Sequence, residues 1–452
     1  MPDRGSFTIP ARAGHTDIRR NNLEVVLRHL WAAERASRAG IAARAGLTRA
    51  TVSRLVAELI GLGLVAETGM AADQGQGRPA TQLAVTGRHV LAIGAEINVD
   101  YLAVLAVDLG NREVHQERRA FDARQAGPAR SVRALARMSA DCLAALPATI
   151  RGRSRVVAGI GIAIPGLIDE ASATVSCAPN LGWDDFPVLP ELEPDLRDQA
   201  GVVTIGNDAN RAAIAEYRVG SRAGTQDLVY VTGEVGIGGG MIVAGQPLLG
   251  SRGYGGEFGH MTLDPAGPPC GCGRRGCWES YVGLDALLRA AGTMPGQAGS
   301  AARPSGSAVG PSASASAAGP SASAAGPSAS AAGPPEDKIM SIALAARAGD
   351  RRVLAALAEL GRYLGIGAAN IAKIVNPEVI ILGGYFTALA EWVLPPARAS
   401  LRAGLLAPAS AGCELTTSDL GFMAAARGAA IDILDKVITN PHQLLGAGAR
   451  RR

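Results

Sequence analysis

The sequence predicts an α/β protein with mixed β-sheets, preceded by a small basic head that is mainly helical. Two observations lead to this prediction. From Val90 onward, apolar runs that resemble strand hairpins alternate with amphipathic helices, as in α/β folds. Before Val90, apolar residues recur instead at three- and four-residue steps, which indicates helices. With 452 residues and 48% hydrophobic content, the chain can bury a large core spread over two or three domains.

Composition and charge narrow the class of protein. No apolar run reaches the ~20 residues that span a bilayer, and the N-terminus lacks the apolar segment of a signal peptide. We therefore expect a cytoplasmic protein without a membrane partner. Six cysteines in so long a chain do not indicate a disulfide framework. Residues 1–90 carry twelve arginines, no lysine and seven acidic residues, although the whole chain has a net charge of only +4. A basic head on a near-neutral body is typical of a domain that meets a polyanion.

Residues 17–88 are predicted to form a winged helix-turn-helix, after a disordered tail at residues 1–16 that has no periodicity. A first helix starts at Asp17, a second runs from Ser37 to Ala45, and a third begins after Thr48, with Ser37 and Thr48 as N-caps. Two short strands at residues 64–66 and 82–85 would enclose a glycine-rich wing.

The third helix is predicted to be a recognition helix. Its exposed face near the N-terminus carries Arg49, Thr51, Ser53 and Arg54, in the part of such a helix that enters the major groove. Arg78, in a Gly-Arg-Pro sequence, would lie at the tip of the wing and reach a minor groove. We therefore expect operator DNA as a partner. A helical protein-interaction domain with no role in DNA binding is the alternative.

The remaining chain is predicted as one larger domain at residues 89–440, followed by a short tail at residues 441–452. Its predicted strands are hairpins at 90–109 and 228–245, a buried strand from residue 156 that ends at Pro165-Gly166, and a strand at 378–384. Its predicted helices lie at 131–148, 342–375 and 419–438, and residues 202–220 are predicted as a strand, a polar turn and a helix. Residues 296–335 repeat PSASAAGP with small variations and lack large apolar side chains. Such a low-complexity stretch cannot bury a core, so we expect a flexible insertion.

One segment of this domain has the composition of a metal site. Cys270, Cys272 and Cys277 are spaced C-x-C-x4-C, and His260 lies ten residues upstream. Three thiolates and an imidazole complete a tetrahedral set for Zn²⁺ and leave no open position, which is typical of a structural zinc. Glu257 and Glu279 bracket the set, where a rigid frame would hold them for recognition of a polyol. A cluster of buried free thiols is the alternative.

Several motifs together resemble one family, the ROK proteins, named for repressors, open reading frames and sugar kinases. GIAIPGLID, NDANRAAIAE, GIGGGMIVAGQPLLGSRGYGGEFGHM, CGCGRRGCWE and NPEVIILGG follow one another in the order found in that family, over about residues 90–440. With its leading winged helix, the chain resembles the repressor branch. The resemblance implies a two-lobed actin-like sugar kinase (ribonuclease H-like) fold with a ligand in the cleft. Lobe 1 would span about residues 89–206 plus the last helix, and lobe 2 about residues 207–423.

The resemblance also implies roles for individual residues. His260, Cys270, Cys272 and Cys277 match the zinc ligands of the family. The implied sugar contacts are Gly166, Asn207, Asp208, Glu257, His260 and Glu279, with Asp208 in the place of the general base of the kinases. His260 would serve both sites, one ring nitrogen on zinc and the other on a sugar oxygen. The alternatives are an ordinary Asx turn for Asn207 and Asp208, and a solvated loop acid for Glu257.

The phosphate-binding turns separate a sensor from a kinase. ROK kinases have an Asp-x-Gly-Gly-Thr turn after the first strand, whereas residues 96–100 here read Glu-Ile-Asn-Val-Asp. In the second turn, Glu234 stands where a kinase has a small residue. Two unit charges 4 Å apart repel by roughly 4 kcal/mol at a near-surface dielectric, so a carboxylate here opposes a triphosphate.

The sequence therefore predicts a non-enzymatic, sugar-responsive transcriptional regulator, in the first place a repressor of carbohydrate-utilisation genes. It would bind a palindromic operator as a homodimer or homotetramer, with a small sugar or sugar phosphate as effector. The alternative is an ATP-dependent sugar kinase of the glucokinase type, with Asp208 as its general base.

Overall fold

The computed structural model describes residues 15–33, 35–70, 81–192, 196, 201–293, 335–406 and 412–442. Most of the predicted N-terminal tail, the insertion up to residue 334, Arg78 at the predicted wing tip and the chain after residue 442 lie outside these residues. Within them, no helix combines the length and the apolar character that crossing a membrane requires.

The head contains three helices and a small antiparallel sheet with the strand order β1-β3-β2. Its elements are α1 (His15–Ala32), β1 (Ala36–Ser37), α2 (Arg38–Ala45), α3 (Arg49–Gly61), β2 (Val65–Met70) and β3 (Thr81–Val85). Both predicted N-caps are confirmed, because Ser37 Oγ accepts from Gly40 N and Thr48 Oγ1 accepts from Thr51 N. The first helix begins two residues before the predicted Asp17, and the two-residue strand β1 was not predicted.

The core of the head continues into the body. Leu27 of α1 and Leu55 of α3 are buried in the same apolar cluster as Ile433 and Val437 near the end of the chain. Since this cluster joins the helices of the head to the last helix of the body, the head is docked on the body by a shared core.

The first lobe of the body is built on a five-stranded sheet with the order β13-β9-β4-β5-β6. Its strands are β4 (Val90–Ile97), β5 (Tyr101–Asp108), β6 (Glu113–Ala120), β9 (Val156–Ile164) and β13 (Val202–Asn207). Strands β4 and β5 form the predicted hairpin, with every residue of both buried. The edge strand β6 was not predicted, because its sequence EVHQERRA is almost wholly polar and mostly exposed.

Two smaller antiparallel sheets also belong to this lobe. They are the two-stranded ribbon β7 (Thr149–Ile150) and β8 (Arg153–Ser154), and the antiparallel sheet of β10 (Leu167–Asp169), β11 (Thr174–Ala178) and β12 (Trp183–Pro187). The predicted buried strand that ends at Pro165-Gly166 is confirmed as β9. After this turn the chain continues as β10, which pairs with β11.

The second lobe repeats the plan of the first, with a five-stranded sheet in the order β16-β15-β14-β17-β18. Its strands are β14 (Leu228–Gly233), β15 (Ile237–Val243), β16 (Gln246–Pro247), β17 (Val379–Gly384) and β18 (Glu414–Thr417). The predicted hairpin at 228–245 is confirmed as β14 and β15.

Helices cover both sheets and fill the space between them. They are α4 (Ala123–Ala126), α5 (Pro128–Ala145), α6 (Asp208–Val219), α7 (Glu279–Val282), α8 (Leu284–Ala291), α9 (Pro335–Arg347), α10 (Arg351–Val375), α11 (Ala390–Gly404) and α12 (Ala424–Thr439). The last helix, α12, packs on β4 and β9 of the first lobe, whereas α6 packs on β14 and β15 of the second. Because α6 and α12 also pack on each other, they are the layer that joins the lobes.

One local prediction was wrong in a way that bears on the site. A polar turn was expected between the strand and the helix at 202–220. Strand β13 instead ends at Asn207 and helix α6 begins at Asp208, with the Asn207 side chain as its N-cap. The residues that looked like a turn are the cap and the first residue of the helix.

Candidate sugar and metal site in the cleft

Four side chains of the Cys/His segment converge on one point. The ligand atoms of His260, Cys270, Cys272 and Cys277 all lie within 4.8 Å of one another. Narrow turns create this convergence: Cys270 N donates to Arg274 O at 2.8 Å, and Gly276 N donates to Pro268 O at 2.7 Å. The four predicted ligands are thus brought together. The alternative of a cluster of buried thiols does not describe Cys270 and Cys272, which are only half-buried.

The spacing of these atoms suits a tetrahedral metal ion. In a tetrahedron of ligands with Zn–S ≈ 2.3 Å and Zn–N ≈ 2.0–2.1 Å, neighbouring ligand atoms are about 3.6–3.8 Å apart. Cys272 Sγ lies 3.7 Å from Cys277 Sγ, and Cys270 Sγ lies 3.8 Å from His260 Nδ1. These two distances match the spacing of ligand atoms around a tetrahedral zinc ion.

The thiols of the cluster differ in acidity even without a metal charge. Burial acts to raise the pKa of Cys272, but hydrogen bonds from the backbone and side chain of Arg274 outweigh it and lower that pKa to about 7. Burial raises the pKa of Cys270 to about 12. A bound dication would favour the thiolate form of both, because ligating thiols are deprotonated.

Asn207 is held on both sides of its amide. Its Oδ1 accepts from Asn210 N at 2.9 Å, as an N-cap does, and its Nδ2 donates to Gly166 O at 3.0 Å. Asn207 therefore has the local capping role that was the alternative to a sugar contact. Each atom of its amide can still make one further hydrogen bond. Gly166 has φ of +115°, and a Cβ added there would lie 2.5 Å from Cys177 O, so glycine is required at this contact.

Asp208 is the most perturbed acid among the predicted sugar contacts. Its Oδ1 accepts from Ala209 N at 2.8 Å, at the positive end of α6. Burial raises the pKa of Asp208 to about 6; the hydrogen bond from the Ala209 backbone opposes this, and the charge of Glu257 adds to it. A carboxylate with this pKa can accept a hydroxyl proton near neutral pH.

Glu279 connects the Cys/His cluster to the start of strand β15. Its Oε2 accepts from Ile237 N at 2.9 Å, and its Oε1 lies 3.6 Å from Cys270 Sγ. Glu257 is exposed and lies just before the short 3-10 turn that ends at His260. Because His260 Nδ1 is the ring nitrogen near Cys270, Nε2 is the nitrogen left for a ligand.

Sequence reasoning missed Asn180, which lies in the turn between β11 and β12. A Cβ added at Gly236 would lie 2.8 Å from Asn180 Nδ2 and 2.5 Å from Glu279 Oε2, so the two side chains meet beside the backbone at position 236. No sequence pattern signals this contact, because an asparagine in a tight turn is common for purely local reasons.

The two turns where a kinase would hold phosphates touch each other through acidic and amide side chains. Asn98 Nδ2, from the first turn, donates to Glu234 Oε2 of the second. Glu96 is buried at 1% exposure, and Tyr101 donates to its Oε1 at 2.8 Å. Burial raises the pKa of Glu96 well above its ordinary value, and the nearby charge of Glu234 adds to this shift.

Glu234 is perturbed in the same way. Burial raises the pKa of Glu234 to about 7, Asp208 adds to the shift, and the hydrogen bond from Asn98 opposes it. Two carboxylates that already disfavour ionisation are a poor environment for a phosphate group, which brings more negative charge.

The predicted recognition helix presents its polar face as expected. Arg49, Ser53 and Arg54 are exposed and Thr51 is half-buried, whereas Val52, Leu55, Val56 and Leu59 form the buried stripe. Thr51 Oγ1 lies 2.9 Å from Thr48 Oγ1, so part of its hydrogen-bonding capacity serves the start of the helix. Arg78 lies outside the described residues.

The fold defines a class of protein: a helix-turn-helix head on a two-lobed body of the actin-like sugar kinase type. The sequence profile of the ROK family matches residues 93–436, and that of the IclR helix-turn-helix domain matches residues 25–69. Since the first match spans more than half of the chain, the protein belongs to the ROK family, as the sequence motifs indicated.

The proteins that this chain resembles include both transcriptional regulators and sugar kinases. The Xylose repressor of Bacillus subtilis (strain 168) is 28% identical over 426 residues, which is 94% of this chain and 97% of the relative. A crystal structure of a ROK family transcriptional regulator, a homolog of the E. coli MLC protein, has a TM-score of 0.67 at 21% identity and covers 95% of this chain and 99% of its own. A ROK family glucokinase from Streptomyces griseus, solved with glucose and AMPPNP, has a TM-score of 0.55 at 28% identity and covers 75% of this chain and 98% of its own.

Proposed function

We propose that this protein is a sugar-responsive DNA-binding transcriptional regulator, in the first place a repressor of carbohydrate-utilisation genes. One observation carries the proposal. Asn207 is bonded to Gly166, and the charge of Glu257 acts on Asp208 while those of His260 and Glu279 act on Glu257, so these polar groups lie near one another. At the two turns that would hold phosphates, Asn98 instead donates to Glu234, and Glu96 is buried beside them. A site that binds a sugar without a place for ATP is suited to sensing, and the docked helix-turn-helix supplies the output.

The effector is proposed to be held by Gly166, Asn207, Asp208, Glu257, His260 and Glu279, with Asn180 as an additional contact. Several rigid acceptors in one cleft can fix a ring that bears several hydroxyls. The xylose repressor named among the relatives makes D-xylose the first sugar to test. D-Glucose, N-acetylglucosamine and their phosphates complete a panel, in which a ligand of the folded state is detected by a rise in the melting temperature.

A structural Zn²⁺ is proposed at His260, Cys270, Cys272 and Cys277. The ligand set and its spacing support this assignment. The ion would hold the segment that positions Glu257, His260 and Glu279, and with four protein ligands it would have no catalytic water.

Operator DNA is the proposed output partner, bound by a homodimer or homotetramer through Arg49, Thr51, Ser53 and Arg54, with Arg78 in the minor groove. We expect Arg54→Ala to weaken operator binding on the order of tenfold, the size of one lost base contact. Gel retardation or fluorescence anisotropy with the promoter region of its own gene measures the effect. Arg124→Ala, which removes an exposed arginine of the body, is the matched control. Unchanged binding by Arg54→Ala would contradict the proposed docking.

A sugar kinase with Asp208 as general base is the alternative, and the glucokinase of known structure supports keeping it. We expect no ATP-dependent phosphorylation of any sugar in the panel, because Asn98 and Glu234 bond each other where the phosphates would lie and the ionised form of Glu234 would repel a triphosphate. The measurement is ADP release together with the mass of the sugar product, with a ROK glucokinase as the positive control. A phosphorylated sugar formed at a rate above that of Asp208→Asn would establish the kinase instead.

A further inference from the structure

Helix α6 runs from the sugar site to the DNA-binding head. Asn207 caps its first turn and Asp208 is its first residue, so this end carries two of the proposed sugar contacts. Its last turn carries Arg218. Twelve residues at 1.5 Å each give a rod about 18 Å long between the two ends.

Arg218 meets the head at a junction of four side chains, which we call the arginine junction: Arg28, Trp31, Arg218 and Asp435. Asp435 Oδ1 accepts from Arg218 Nη2 at 3.0 Å and from Arg28 Nη1 at 3.0 Å. The Arg218 guanidinium carbon also lies 5.1 Å from the centroid of the Trp31 ring, within the range of a cation–π contact. Since Arg28 and Trp31 both belong to α1, Arg218 contacts the head directly and, through Asp435, a second time.

Two further hydrogen bonds fix the head to the body at this junction. Trp31 Nε1 donates to Leu109 O of the body at 2.8 Å, and Arg28 Nη2 donates to Thr439 Oγ1 of α12 at 3.0 Å. On its other side, α1 buries Leu23 and Leu27 against α3, the recognition helix, in one apolar cluster. A change in the position of α1 on the body therefore also changes the position of α3, the helix that carries Arg54.

Helix α6 cannot shift at one end alone, because it crosses α12 with almost no space between the backbones. A Cβ added at Gly428 of α12 would lie 1.6 Å from Arg211 O of α6. The buried Arg211 side chain is also paired with Asp432 of α12 at 3.1 Å. Packed helices of this kind move as units between discrete arrangements.

We propose that α6 transmits the occupancy of the sugar site to the DNA-binding head through the arginine junction. This inference rests on the proposed function, and it identifies how occupancy of the sugar site affects the DNA-binding head. A ligand that prefers one setting of Asn207 and Asp208 biases the position of α6, and the junction makes the orientation of the head depend on that position. Arg218 is a positioning residue that touches neither sugar nor DNA.

Arg218→Gln tests the proposal through the coupling between the two ligands. The operator Kd is measured with and without a saturating sugar from the panel, and the sugar Kd is measured without DNA. In the unaltered protein we expect a coupling factor on the order of 5–150. In Arg218→Gln we expect it to fall below about twofold, while the sugar Kd without DNA stays within about twofold of the unaltered protein, because Arg218 is remote from the sugar.

Arg222→Gln is the matched control. It lies four residues further along and pairs with Glu414 of the second lobe, not with the head, so its coupling should match that of the unaltered protein. Trp31→Leu, which removes the ring that the Arg218 guanidinium contacts, tests the same junction independently if Arg218→Gln does not fold. Full coupling in the folded Arg218→Gln, or in Trp31→Leu where Arg218→Gln does not fold, overturns the relay alone. No coupling in the unaltered protein contradicts the proposed function and the relay together.

Discussion

Cys272→Ala is expected to release the metal and to abolish the sugar response. Cys272 Sγ lies 3.7 Å from Cys277 Sγ, so its loss leaves three ligands and opens one face of the site. Binding of structural zinc contributes about 10–16 kcal/mol in zinc-finger peptides, so the segment that carries Glu257, His260 and Glu279 should lose its fixed shape. We expect zinc content to fall from about one ion per chain to a small fraction of that, with a lower melting temperature and sugar affinity reduced more than about 100-fold.

Metal analysis and calorimetric titration with the active sugar measure these effects. Cys413→Ala is the matched control, because this half-buried thiol lies outside the cluster. A zinc-free Cys272→Ala protein that binds sugar and responds to it normally would show that the metal does not frame the site.

Asp208→Asn is expected to weaken sugar binding by roughly 10- to 150-fold. A hydrogen bond to a charged acceptor contributes about 1.5–3 kcal/mol, and asparagine removes the charge while keeping the shape. The amide oxygen can still accept from Ala209 N, which the carboxylate does at 2.8 Å, so the start of α6 should be preserved. Asp227→Asn is the matched control, since the Asp227 side chain also accepts one backbone N–H, from Ala244. Asp227 precedes β14, whereas Glu234 follows the other end of that strand.

The same residue predicts a pH dependence. In the proposed site the ionised carboxylate of Asp208 accepts from a sugar hydroxyl, and burial raises the pKa of Asp208 to about 6. Sugar affinity should therefore be complete well above pH 6, fall as the pH drops through 6, and decline by about tenfold per unit below that. Asp208→Asn should have no such step over the same range. Metal content followed in parallel separates this effect from loss of zinc in acid, and equal pH profiles for the two proteins would exclude Asp208 as the titrating group.

The sequence predicted the parts of the fold that depend on neighbouring residues. Ser37 and Thr48 cap helices within three residues of themselves, and the mainly apolar runs of β4 and β5 indicated buried strands. The metal cluster was also predictable, because cysteine and histidine at close spacing have few other uses. The edge strand β6 was missed, since one polar, exposed strand has no apolar alternation to reveal it.

Contacts between distant parts of the chain could not be predicted from the sequence. Glu234 was recognised as an obstacle to phosphate, but its contact with Asn98, 136 residues away, depends on how the lobes meet. The arginine junction joins Arg28 to Asp435 across 407 residues, and Arg218 looked like an ordinary cation at the end of a helix. Such pairs are set by the packing of α6 on α12, which no local pattern encodes.

A sugar that occupies the cleft of a sensor must change the affinity for DNA without being altered itself. The most direct measurement is the operator Kd of the zinc-loaded protein across the sugar panel, with the sugar recovered and its mass determined after incubation with ATP. We predict that one sugar changes the operator Kd at least about fivefold and is recovered unphosphorylated. A sugar that binds in the cleft but leaves the operator Kd unchanged, or that is recovered as its phosphate, would contradict the proposed sensor.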